Sequence, residues 1–116
     1  MARSDDEWVQ DIISAIEAIR ADTVGLDLAA FAARPTTVRS VLYSIAVMGE
    51  AAKCISPAFK AGYPDIPWRA IAGIRDRIVH EYFRTNTQRI WDVVTGDIDE
   101  LVKALKNPLD RPPAPD

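Results

Sequence analysis

The run Arg75-Asp76-Arg77-Ile78-Val79-His80-Glu81-Tyr82 carries the residue types needed for phosphodiester chemistry. His80 is the chain's only histidine. With a pKa of about 6.5, an imidazole can take or give a proton at neutral pH, and an arginine can stabilise charge developing on phosphorus. If the nucleophile is the 2′-hydroxyl of an RNA, this pair suffices without a metal, His80 deprotonating the 2′-oxygen or protonating the leaving oxygen. One histidine and one cysteine, Cys54, far apart in the chain, make no recognised metal-ligand spacing. A glycine-rich phosphate loop and a nucleophile elbow are also lacking, so no metal or cofactor is expected.

These side chains need an element to hold them. Tyr63-Pro64-Asp65-Ile66-Pro67 reads as a turn, and Trp68 to Phe83 as a helix. At about 100° per residue, Trp68, Ile71, Ile78, Val79 and Tyr82 form one stripe, and Arg75 falls inside it. An arginine in an apolar seam costs several kcal/mol unless it is paired. Either a carboxylate meets it, with Glu50 as the candidate, or the seam opens onto a cleft. Five residues make one turn plus about 140°, so Arg75 and His80 diverge around a regular helix. A two-fold dimer that brings His80 of one chain to Arg75 of the other resolves this without distortion. Asp76, one turn before His80, is placed to accept an imidazole N–H. On residue type and spacing alone the bland alternatives stay open: a structural ion pair for Arg75, an incidental surface position for His80 and a core aromatic for Tyr82.

The remaining segments also read as helices. Ser4-Asp5-Asp6-Glu7 has the form of a capping box, followed by Trp8, Ile12, Ile16 and Ile19 at helical spacing to about Ala21. Asp27 can cap a short helix over Leu28 to Ala33. Pro35 ends that helix or begins the next, a long one with Val38, Leu42, Ile45, Met48, Ala52 and Ile55 as its stripe. Ser56-Pro57 starts a further short helix, ending near Gly62. A last helix from about Asn86 to Lys106 presents Ile90, Val94, Ile98, Leu101 and Leu105, and Asn107-Pro108 stops it. Nothing reads as a strand. The expectation is an all-α antiparallel bundle of four or five helices, one domain over residues 1–106, with a disordered proline-rich tail over 107–116.

With 48% hydrophobic and 27% charged residues in 116, the composition is that of an ordinary globular domain. The lone cysteine, read as a small buried hydrophobe, and the lack of a long apolar run or cleavable leader fit a cytoplasmic protein without a membrane association. The net charge of −3 argues against coating nucleic acid over the whole surface. Yet Arg69, Arg75, Arg77, Arg84 and Arg89 stand against only Asp76 and Glu81 in one stretch. Arg69, Arg77 and Arg84 are candidate RNA contacts, with solvated surface arginines as the default.

Arg75-Asp76-x-x-x-His80-x-Tyr82 resembles the RX4HXY motif of HepT-like toxins in the HEPN superfamily. Gly49-Glu50-Ala51-Ala52-Lys53, Pro64 to Arg69, Ile74 to Phe83 and Trp91-Asp92-Val93-Val94 follow in the family's order, so the resemblance spans about Val38 to Leu105. It implies a homodimeric helical bundle and a toxin that cleaves RNA, tRNA or mRNA, with Arg75 and His80 as catalytic residues. It also implies a cognate minimal nucleotidyltransferase antitoxin that adds AMP from ATP to Tyr82. Asp76 and Glu81 depart from the Asn and Gly often found in the family, which adds negative charge near the RNA. A reading from another class is a non-catalytic nucleotide-binding or partner-binding helical module for a nucleotidyltransferase.

Overall fold

The computed structural model describes residues 3–80 and 87–109, with side chains described over 3–78 and 87–104. Among these residues there are helices and no strands: α1 (Asp5–Thr23), α2 (Leu28–Ala32), α3 (Pro35–Cys54), α4 (Pro57–Gly62), α5 (Trp68–His80), α6 (Thr87–Asp92), a π-helical turn (Val93–Asp97) and α7 (Ile98–Leu109). The all-α expectation holds.

The helix starts follow local chemistry. The Ser4 hydroxyl accepts from the Glu7 amide, and the Glu7 carboxylate accepts in return from the Ser4 amide, closing the capping box. Asp27 accepts from the Ala30 amide, Pro35 occupies the first turn of α3, and Ser56 accepts from the Phe59 amide. α1 ends in a type II turn: Val24 is extended, Gly25 has φ 76°, and the Leu26 amide donates to the Thr23 carbonyl at 3.1 Å. Asp5 links α1 to α4, its two carboxylate oxygens accepting from the Ser56 amide (2.8 Å) and hydroxyl (2.6 Å). Those bonds hold the Asp5 carboxyl below the usual carboxylate range.

α3 is the central element, packed against α1 on one side and α5 on the other. Two covered faces widen its buried arc beyond one stripe. Val41, Ser44 and Ala51 are therefore buried along with Ile45, Met48 and Ala52, while Val38 and Leu42 are only partly so. Ile12, Ile16 and Ile19 of α1, Ile71, Ile74 and Ile78 of α5, and Ile90, Val94, Ile98 and Leu101 of the last rod complete the core. Each such side chain contributes about 1.5–3 kcal/mol on burial. Trp91 of α6 meets Phe31 of α2 at 5.0 Å.

Three expectations need correction. Cys54 is exposed, because it closes α3 where the chain turns away from the core. The last rod is interrupted by the π turn, where one residue more per turn is accommodated and the Thr95 hydroxyl donates to the Trp91 carbonyl. α7 also runs through Asn107-Pro108 to Leu109. A proline forfeits its own backbone bond but has a helical φ, so a final turn can carry it. No described helix is long and apolar enough to cross a membrane.

α3 and α5 approach each other closely at Gly49. A Cβ at Gly49 would overlap Cβ of Arg75 and lie 2.6 Å from its Cγ and 3.3 Å from its Cα, whereas a Cβ at Gly73 would meet nothing within 4 Å. Gly49→Ala should therefore lose about 1–3 kcal/mol by overpacking, even though helix propensity alone favours alanine by about 1 kcal/mol. Gly73→Ala should gain about 0.5–1 kcal/mol. Urea denaturation of the two variants checks both signs; a Gly49→Ala protein as stable as the parent would contradict the close contact.

Candidate active site

α5 is fixed at its start by the turn before it. Ile66 is buried, its amide donates to the Tyr63 carbonyl (3.2 Å), and the Trp68 indole N–H donates to the same carbonyl (3.1 Å). Phe59 packs against both Tyr63 and Trp68. From this anchor Trp68, Ile71, Ile74 and Ile78 face the core, which puts Arg75 at the margin of the buried stripe. Its stem crosses Gly49, and its side chain is 28% exposed.

The Arg75 guanidinium donates from Nη1 to Oδ1 of Asp76 at 3.0 Å, and Lys53 Nζ donates to that same oxygen at 2.7 Å. Lys53 first, then Arg75, holds the Asp76 carboxyl below the usual carboxylate range. Arg75 Nε is buried and has no acceptor among the described residues.

Lys53 was not among the candidate residues, although a signal for it existed. It stands four residues after Gly49, on the same face of α3. Glu50, the expected partner of Arg75, is instead exposed. It lies one position beyond Gly49, about 100° around the helix from the face that meets α5, so the carboxylate at Arg75 is that of Asp76.

The other candidates fall in different places. Arg69 is exposed. Arg77 is 64% exposed, 3.5 Å from Asp97, and lines a cleft of about 620 Å³ between α5 and α7 together with Asp65, Asp97 and Glu100. That acidic surround opposes a role for Arg77 in guiding RNA. The cleft does not reach Lys53, Arg75 or Asp76. His80 belongs to α5 by its backbone, and its side chain, with the expected Asp76–imidazole contact, lies outside the described residues, as do Tyr82, Glu81 and Arg84. α5 is regular through His80, so positions 75 and 80 stand about 140° apart.

The Ribonuclease HepT-like family matches residues 12–107. The chain belongs to this family. It is 31% identical over 104 residues to "Putative RNase TTE0752" of Caldanaerobacter subterraneus, covering 90% of this chain and 93% of that protein. It is 36% identical over 101 residues to "Probable ribonuclease HepT" of Thermococcus cleftensis, covering 87% and 92% respectively. No solved structure matches. The matched region runs from α1 through α7 and takes in the whole Lys53–Asp76–Arg75 cluster.

The position of Asp76 between two cations sets a pH dependence. Its folded-state pKa is depressed, so its contribution to stability is present above the unfolded value of about 3.9 and is lost as pH falls through the folded value. The urea midpoint should drop below about pH 4, and Asp76→Asn should flatten that acid limb. Asp5, Glu7 and Asp11, also held low by hydrogen bonds, keep a residual slope.

Proposed function

We propose that this HepT-like chain is the toxin of a toxin–antitoxin pair, a ribonuclease that cuts RNA without a metal, with Arg75 and His80 as its catalytic residues. The observation that carries the reading is the seating of Arg75. Its stem is locked against Gly49 and its Nε is buried without an acceptor among the described residues, at a margin of the core that solvent still reaches. A guanidinium fixed by packing before substrate arrives is suited to stabilising charge that develops at phosphorus, because little reorganisation accompanies the reaction.

In the proposed step the 2′-oxygen attacks the adjacent phosphorus and the bond from phosphorus to the 5′-oxygen breaks, giving a 2′,3′-cyclic phosphate and a 5′-hydroxyl. His80 takes the 2′-hydroxyl proton or delivers one to the departing 5′-oxygen, and water exchanges the other. Arg75 holds the phosphoryl oxygens. The separation of about 140° between positions 75 and 80 supports a two-fold dimer in which each cleft takes Arg75 from one protomer and His80 from its partner. The partner that restrains this activity is a small nucleotidyltransferase that moves AMP from ATP to the Tyr82 hydroxyl and releases pyrophosphate. Seven residues beyond Arg75 in the chain, bulky anionic AMP would compete with RNA.

A second reading, a module that holds a nucleotide phosphate without cutting, is favoured by the pairing of Asp76 with Arg75, which lowers the positive charge offered to RNA. Cleavage assays separate the two. His80→Ala and Arg75→Ala should each cut tRNA or mRNA at least about 10²-fold more slowly with helical content unchanged, and EDTA should leave the parent fully active. Dependence on added Mg²⁺ would remove the metal-free mechanism, and a folded parent that binds AMP while leaving RNA intact would favour the second reading. For the antitoxin, intact mass after incubation with the nucleotidyltransferase and ATP should rise by AMP increments, and Tyr82→Phe should stay unmodified.

A further inference from the structure

We infer that Lys53 and Arg75 form a joint seat for an RNA backbone phosphate, and that the Asp76 carboxylate occupies this seat in the free protein as an internal stand-in which the phosphate displaces. The inference rests on the ribonuclease reading for the identity of the polyanion, and on the geometry of the cluster for everything else.

Two cations from different helices converge on a single oxygen, Asp76 Oδ1, at 2.7 and 3.0 Å. A non-bridging phosphate oxygen has the size and charge to replace it and to accept the same two bonds. Adjacent helical positions point about 100° apart, so Arg75 reaches Asp76 only by bending its long stem around α5. That leaves Asp76 meeting Nη1 alone. An anion free to approach from solvent can engage both outer guanidinium nitrogens together with the Lys53 ammonium, more than a carboxylate tethered to the neighbouring residue does. Access is open, because the side chains of Lys53, Asp76 and Arg75 are 39%, 43% and 28% exposed. Ion pairs at such exposure hold weakly, so a polyanion can exchange with the carboxylate. The cluster has two positive groups for one negative, whereas Arg77 faces Asp97 beside Asp65 and Glu100.

The test is binding of a short single-stranded oligonucleotide, 2′-deoxy throughout so that it cannot be cut, followed by fluorescence anisotropy across a salt series. The stand-in arrangement gives opposite signs for its two members. Lys53→Gln should weaken binding about tenfold and reduce the slope of log affinity against log salt by about 0.7, the loss of one phosphate contact. Asp76→Asn should tighten binding, and Lys53→Arg should retain most of the parent's affinity. A purely structural Lys53–Asp76 bridge would instead make both Lys53→Gln and Asp76→Asn weaken binding together, and that result, or no change in either, overturns the inference. A parent that binds the oligonucleotide with these signs yet leaves RNA uncut keeps the phosphate seat and removes the ribonuclease reading. A parent that cuts RNA while both variants bind unchanged does the reverse.

Discussion

The contact between Gly49 and the stem of Arg75 is the constraint on which the site depends. A side chain at position 49 would push α3 and α5 apart, and with them the two elements that carry Lys53 and Asp76. Glycine in a helix interior costs about 1 kcal/mol relative to alanine. Here the cost is offset by apolar packing across the α3–α5 interface, where Ile71, Ile74 and Ile78 bury against a helix already covered by α1 on its other side. The tight crossing also leaves Arg75 Nε inside the seam, so the guanidinium is held by its own stem and only its outer nitrogens stay available.

Charge is sorted by the same packing. A chain of net charge −3 has no general attraction for nucleic acid, yet α3 and α5 bring Lys53 and Arg75 to one flank with a single carboxylate between them. The opposite flank of α5 collects Asp65, Asp97 and Glu100 around Arg77, with the π turn Val93–Asp97 supplying Asp97. One helix thus separates a net positive margin from an acidic cleft. A strand of RNA drawn to the first would be repelled from the second, which gives the proposed substrate one side of α5 on which to lie.

Much of the fold was legible because its signals are local. Ser4 with Glu7, Asp27 and Ser56 mark helix starts through bonds spanning three residues, Pro35 and Pro57 mark them through a φ already helical, and the spacing of isoleucines marks the core faces of α1 and α5. Cys54, the π turn and the run of α7 past Pro108 were less legible. Burial at a helix end depends on where the chain turns next. One extra residue in a turn hardly alters hydrophobic periodicity, and a proline signal does not reveal whether it falls before the last turn or within it.

The helical class, most of the boundaries and the segment in which an arginine sits among core positions all follow from neighbours in the chain, so residue order is enough to fix them. Tertiary structure alone decided what meets that arginine. Glu50 and Lys53 are both within four residues of Gly49, but the rotation of α3 against α5 turns the first to solvent and the second onto Asp76. That rotation is set by side chains packing across two helices, a quantity no single stretch of sequence contains.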